Sequence, residues 1–290
     1  MEAMTCSNIS KKYGDKEVLK NINLTIEKGK IYGMIGRNGA GKTTLLSILA
    51  SQNPATTGEV ICDGEKVWEN RKALNHICFS RELSQNQNGT GVAGLSIRDY
   101  LRAASYYYPN WDKAMEEELL EKFGLRKKDK IAKVSKGMLS MVTIIVAMAS
   151  KAEYTFLDEP VAGLDVVMRE YFYRRLLDEY MQTGRTFVIS THIIEEAADI
   201  FEEVIIVKDG EILLKENTQS LVGRAYRISG LNEAVGRATA GLETYRAEHM
   251  GRSMGVTVFL KEGEIFPEGY DISIQPVNLQ SAFVALCGME

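Results

Sequence analysis

The chain has 290 residues, 45% of them hydrophobic and 26% charged, and a net charge of −4 at pH 7. That length suits a main domain with a small appendage, and the charge excludes a global basic field that would draw the chain to nucleic acid or an acidic membrane surface. Cys6, Cys62, Cys78 and Cys287 form no CxxC pair, so they read as reduced, mostly buried residues with neither zinc nor a disulfide framework implied. Met1-Glu2-Ala3-Met4 lacks the charged and apolar segments of a secretory signal. The longest wholly apolar run, Ile144 to Ala149, is far short of a membrane span. Membranes would be reached through a partner.

Met4 to Leu24 carries short alternating apolar stretches, which predict an antiparallel strand region. Inside it, Tyr13 of Lys11-Lys12-Tyr13-Gly14 either stacks on a nucleotide base or faces solvent, and the motif downstream favours stacking. Ile31 to Ile35 reads as a buried strand and Thr43 to Ala50 as a helix. Between them stands Gly36-Arg37-Asn38-Gly39-Ala40-Gly41-Lys42-Thr43, followed by Thr44, in the form G-x-x-x-x-G-K-[ST]. A triphosphate needs many donors at close range, so side chains must vanish from the turn and backbone N–H groups must point inward. The glycines allow that. Lys42 can reach the β and γ phosphates as a point charge, and the Thr43 hydroxyl can ligate Mg²⁺ at the positive end of the helix.

Thr57 to Gly64 and His76 to Phe79 read as strands, and the polar stretch from Ser80 to Gly94 as a long loop. Helices are expected over Ile97–Tyr108 and Asp112–Phe123, with Tyr106-Tyr107-Tyr108-Pro109-Asn110-Trp111 between them as subdomain core or as an exposed anchor for a partner. Arg126-Lys127-Lys128-Asp129-Lys130 is a single basic run and reads as a solvated linker. Ser135-Lys136-Gly137 then opens a helix that is apolar nearly all round. Such a helix is buried against the sheet, with its N-terminus free to meet an anion.

Tyr154 to Glu159 reads as a buried strand ending in two carboxylates. Asp158 can hold Mg²⁺ and Glu159 can polarise an attacking water. Pro160 to Asp165 turns the chain into a helix of Met168 to Tyr180. Thr186 to Ser190 is a further strand, with Thr191-His192 at its carboxyl end, where open α/β sheets bind ligands. His192, one of three histidines, is placed there to contact a γ-phosphate. Lys208 to Glu211 looks like a hairpin turn. From Leu221 onward the chain alternates strand-like (Val256 to Leu260, Ile272 to Ile274) and helix-like (Leu231 to Leu242, Asn278 to Leu286) segments and holds no nameable catalytic constellation.

Taken in order, these motifs resemble the ATP-binding subunit of an ABC transporter over about residues 4 to 220. Gly36 to Thr43 match Walker A; Thr155 to Asp158 with Glu159 match Walker B and its catalytic glutamate; Gly163-Leu164-Asp165 match the D-loop, His192 the switch histidine and Tyr13 the adenine-stacking aromatic. Ser135-Lys136-Gly137-Met138 resemble the signature motif in its S-K-G-M form. That form, with Tyr108-Pro109-Asn110-Trp111, is similar to the branch that pairs with separate permeases, mainly exporters. The resemblance implies an α/β P-loop NTPase of ABC type over residues 1–220, with an antiparallel β subdomain and an α-helical subdomain at about 95–150, and a small C-terminal α+β domain over 221–290. It further implies ATP and Mg²⁺, the metal held by Thr43, Asp158 and Glu82. The implied partners are a multi-span permease and a second ATP-binding subunit, as homodimer or heterodimer, without nucleic acid. The implied location is cytoplasmic, peripheral on the inner face of the cell membrane through the permease. In the family, ATP on one P-loop is capped by Ser135 and Gly137 of the other copy; hydrolysis then releases the pair.

Two departures from the family pattern stand out. Glu82 takes the place of the usual metal-sensing glutamine, with Gln85 and Gln87 nearby, and the signature carries Lys136 and Met138 where glycine and glutamine are commonest. A soluble ABC-type ATPase acting on ribosomes or DNA is the alternative; it would carry two P-loops or long coiled coils, and neither is present. A small-molecule kinase would not explain Ser135-Lys136-Gly137 or His192.

Overall fold

The computed structural model describes residues 3–83, 92–261, 264 and 269–288. A long antiparallel hairpin, β1 (Ala3–Tyr13) and β2 (Lys16–Glu27), turns at Gly14 and leads into β3 (Ile31–Ile35) and α1 (Lys42–Leu49). Next come β4 (Thr57–Cys62), β5 (Glu65–Lys66), α2 (Arg71–Leu74) and β6 (Ile77–Ser80). A helical layer follows: α3 (Ile97–Ser105), α4 (Lys113–Lys122) and α5 (Lys136–Ala149). β7 (Tyr154–Asp158), α6 (Val166–Thr183), β8 (Thr186–Thr191), α7 (Ile194–Ala197) and the pair β9 (Glu203–Lys208) and β10 (Glu211–Asn217) complete the larger sheet, before α8 (Thr218–Gly223). The remainder is β11 (Ala225–Leu231), α9 (Asn232–Ala238), β12 (Thr244–Met250), β13 (Ser253–Phe259), β14 (Ile272–Pro276) and α10 (Leu279–Cys287).

The central sheet has the order β10-β9-β3-β8-β7-β6, parallel throughout except for β10. Alternation along its strands sends side chains to two faces. Ile31, Leu157, Ile189 and Ile206 join the core built with α3 to α8 and α10; Tyr32, Phe156, Val188 and Ile205 join the core shared with α1 and the antiparallel sheet β2-β1-β4-β5. Three layers result, and the carboxyl ends of β3, β7 and β8 lie side by side. All four cysteines are free and buried, and burial pushes the thiols of Cys6 and Cys62 up to about 12.

At the amino ends of the strands, buried Arg185 binds the layers together. Its guanidinium donates to the carbonyls of Ala147, Met148 and Ala152, to Thr155 Oγ1 and to buried Glu179. The charge thus stands at the C-terminus of α5, where free carbonyls and the helix dipole favour a cation. The aromatic stretch divides. Tyr108 stacks on Trp111 with centroids 6.2 Å apart and both pack on the core, whereas Tyr106 and Tyr107 are 75% and 77% exposed. The basic run is paired locally: Arg126 with Asp129, Lys127 with Glu117, Lys130 with the Gly94 carbonyl.

The third sheet, β12-β13-β11-β14, is antiparallel, with α9 between β11 and β12, in the manner of a split βαβ unit. Its own core is small: Ile228, Val256 and Val258 under Val235 of α9. The other face holds an open cleft of about 610 Å³ over Ser229, Gly255 and Ser273, crossed by the Arg227–Glu248 ion pair. α10 then returns to the larger core, burying Leu279, Ala282 and Ala285 beside α7 and α8.

Candidate nucleotide site

The turn from β3 to α1 lies in the crowded centre of the sheet, and that explains its composition. A Cβ on Gly36 would stand 2.4 Å from the Val207 carbonyl oxygen; one on Gly41, which has φ +107°, would meet Leu19 Cδ2 at 2.6 Å. Neither position admits a side chain. Gly39, at φ +83°, needs glycine for its backbone alone. The loop closes through Ala40 N–H donating to the Arg37 carbonyl at 3.1 Å. Lys42 is only 7% exposed, and its ammonium donates to the carbonyls of Gly36 (2.6 Å) and Arg37 (3.3 Å). Burial lowers the pKa of Lys42, while the Glu159 and Asp158 carboxylates oppose that shift. Thr43 is exposed on the first turn of α1, with Thr44 beside it.

The paired ends of β7 and β8 supply the acids. Asp158 stands opposite Ser190, whose hydroxyl donates to Asp158 Oδ1 at 2.5 Å. Glu159 donates its N–H to the Ser190 carbonyl at 3.0 Å and holds φ +50°, a left-handed conformation that costs a non-glycine residue about 1–2 kcal/mol. His192 Nδ1 lies 2.7 Å from Glu159 Oε2. A carboxylate can only accept, so Nδ1 carries the hydrogen, and Nε2, on the far side of the ring, has no hydrogen-bond partner among the described residues. Thr191 and His192 face Gly36, Arg37 and Asn38 across a cavity of about 340 Å³, closed on one side by Phe283 of α10. Tyr13 sits at the end of the first hairpin. Its hydroxyl accepts from Asn53 Nδ2 and the Lys11 ammonium lies 4.9 Å from its ring centroid.

A second group of residues gathers at the start of α5. Ser135 is the N-cap of that helix, its hydroxyl accepting from Met138 N–H at 3.2 Å. Gly137 packs on the turn before α6 so tightly that a Cβ would approach the Gly163 carbonyl oxygen to 2.5 Å, and Ser140 donates to the Ala162 carbonyl at 2.6 Å. Asp165 caps α6 through Met168 N–H at 2.9 Å. Ser135, Gly137 and Asp165 are therefore brought together by the packing of the start of α5 on the turn before α6. Glu82 is ion-paired with Lys136 at 3.0 Å, and Gln85 and Gln87 lie outside the described residues.

Sequence reasoning passed over Ser190, Ser140 and Arg169. Arg169 donates to the Leu164 carbonyl and to Glu196, tying the turn before α6 to α7. For Ser190 a signal existed: a hydroxyl at the strand end beside Thr191-His192 and level with Asp158. For Ser140 the partner is a turn 22 residues further on, and for Arg169 one partner lies in α7, 27 residues on, so no local pattern announces either contact.

The arrangement offers a glycine-lined loop with a buried cation, two carboxylates and an imidazole beside it, and a capped helix start elsewhere on the surface. Residues 19–162 match the family model described as ABC transporter. The chain is 30% identical over 213 residues to a lantibiotic transport ATP-binding protein of Streptococcus pyogenes, SrtF, covering 72% of this chain and 88% of that protein. It is 28% identical over 242 residues to the linearmycin resistance ATP-binding protein LnrL of Bacillus subtilis, covering 80% and 76%. Among solved structures, a dimeric ATP-binding cassette in a post-hydrolysis state bound to ADP and Pi superposes with a TM-score of 0.64 at 26% identity, covering 74% of this chain and 98% of that one. Among the described residues no helix is long and apolar enough to cross a membrane. The chain belongs to the ATP-binding proteins of the ABC transporter family: it is a P-loop ATPase cassette with an antiparallel β layer and a helical layer on its central sheet.

Proposed function

We propose that the chain hydrolyses ATP at the Lys42 site as one of two such subunits and that dimer closure drives export through a separate multi-span permease. The observation that carries the chemistry is the 2.7 Å contact between Glu159 and His192 beside the glycine-lined loop. The backbone N–H groups from Gly39 to Thr43 and the Lys42 ammonium bind the phosphates; Asn38 and Thr44 flank them, and Tyr13 stacks on the base. Mg²⁺ fits the hard oxygens of Thr43 and Asp158, while Glu82, expected as a third ligand, is paired with Lys136. When bound, that ion neutralises charge on the β and γ phosphate oxygens. Glu159 takes the proton of the attacking water, and His192, oriented by Glu159, presents Nε2 to the γ-phosphate. Ser135, Gly137 and Asp165, gathered at the starts of α5 and α6, serve the nucleotide of the partner subunit.

In this reading residues 1–220 are the ATP-binding unit and 221–290 an accessory unit. The permease docks at the cleft of about 720 Å³ between Phe79 and the exposed Tyr106 and Tyr107. The exporting direction is supported by the transport and resistance proteins named above. Glu159→Gln lowers the ATP turnover rate about 10²–10⁴-fold while ATP binding persists, as measured by phosphate release and nucleotide titration. The same variant, retrieved from solubilised native membranes with Mg·ATP, brings down a multi-span protein in stoichiometric amount. Recovery of ribosomes or nucleic acid in its place would refute the transport reading.

A further inference from the structure

The two charged departures from the family pattern, read separately in the sequence, touch each other. Lys136 is the first residue of α5, directly after Ser135, and its ammonium lies 3.0 Å from the carboxylate of Glu82, two residues beyond β6. The aliphatic stem of Lys136 lies on the turn before α6, with its Cγ at 3.3 Å from the place a Gly163 Cβ would take. That stem fixes where the charge is presented. Both side chains are about half exposed, so the pair is screened by water and individually weak, and a stronger anion can replace the carboxylate.

We infer that Glu82 is a resident counter-ion for Lys136, and that the pair opens when the nucleotide held by a second copy reaches Ser135. This rests on the dimer reading above; the phosphate contact at Ser135 belongs to that reading, and the added element is the carboxylate that competes for its neighbouring cation. Lys136 is then a nucleotide-binding residue, and Glu82 acts through it. It stays paired throughout, first with Glu82 and then with a phosphate, while Glu82 is released toward the β6 side. A nucleotide's phosphates carry several negative charges against one for the carboxylate, so the exchange favours closure once a nucleotide is bound. The pair raises the ATP level needed to close the dimer and makes that level depend on salt.

The competing structural explanation is a simple tether between the loop after β6 and α5. The two differ in sign. For a tether, loss of either partner weakens closure. For a counter-ion, Glu82→Gln removes the competitor and Lys136→Gln removes the attraction. Glutamine at 82 keeps an oxygen able to accept from a metal's water shell, so only the charge is lost.

The test measures ATP-dependent dimerisation of the full chain by sedimentation, with each variant made on the Glu159→Gln background so that the closed form accumulates. Glu82→Gln is expected to lower the ATP concentration for half-maximal dimer roughly two- to fivefold, and Lys136→Gln to raise it by a similar factor. In the Glu82→Gln/Lys136→Gln double variant the gain from Glu82→Gln disappears, because its effect passes through Lys136. All three differences collapse near 1 M salt, where charges are screened within about 3 Å. Shifts of the same sign in the two single variants, no shift in either, or an undiminished Glu82→Gln gain in the double variant would overturn the inference and leave the dimer intact. Absence of any ATP-dependent dimer in the Glu159→Gln parent would overturn both.

Discussion

The central sheet and the third sheet are built from strands of similar length and differ in what covers them. Every residue of β3, β7 and β8 is buried, with apolar layers on both faces, whereas β12 and β14 are mostly exposed and the third sheet is roofed on one face by the short helix α9. A sheet covered on both sides holds its strand ends in fixed register. The site depends on that: Asp158, Glu159 and His192 all hang from the β7–β8 pair, where a one-residue slip would turn each of them to the wrong face. The third sheet has no comparable constraint, and it carries a shallow open cleft rather than a catalytic group.

The contrast can be tested first through Arg185. Arg185→Ala removes a buried cation from five acceptors; Lys151 still pairs with Glu179, so the expected loss is near the lower end of about 3–5 kcal/mol, read as a drop in urea midpoint. ATP hydrolysis should fall with it, because α5, β7 and β8 share the anchor. Val256→Ala, in the small core of the third sheet, costs about 2 kcal/mol and is expected to leave the basal ATP turnover rate unchanged. If turnover falls in parallel with stability, the two sheets are one cooperative unit and the contrast is broken. The smallest effect is the alkaline limb of ATP binding. A free lysine titrates at 10.5 and burial lowers Lys42, so its phosphate-binding charge is lost at a lower pH than in solution. Affinity therefore declines before pH 10.5 is reached, with the Glu159 and Asp158 carboxylates limiting the effect; nucleotide titration across the alkaline range measures it.

Much of the nucleotide site was legible because its chemistry is local. Gly39 and Gly41 are demanded by backbone shape and Gly36 by space, Lys42 and Thr43 follow in the same turn, and the β7 and β8 strands announce themselves by short β-rich stretches, Tyr154-Thr155-Phe156-Leu157 and Phe187-Val188-Ile189. The helical layer was readable to within a few residues: the helix expected over Ile97–Tyr108 ends at Ser105, and that expected over Asp112–Phe123 begins with Asp112 as its cap. β11 and β12 were not read as strands. β12 is an edge strand with polar residues on both faces, and the alternation of β11, Tyr226-Arg227-Ile228-Ser229, stops at Gly230 after four residues, too short to mark a strand. The Glu82–Lys136 contact was illegible for another reason: it joins two layers whose approach is set by packing on β6 and α5, far apart in the chain.

The return of α10 changes how the tail behaves in time. Ala225 of β11, Phe259 of β13 and Leu279 of α10 are all buried in the larger core, and the Lys208 ammonium donates to the Leu286 carbonyl near the far end of α10. The third sheet is thus held to that core at three points. Its edge strands can open and exchange their amide protons while α10 stays docked, so protection in this region should rise toward the C-terminal helix, reversing the gradient usual for the last residues of a chain.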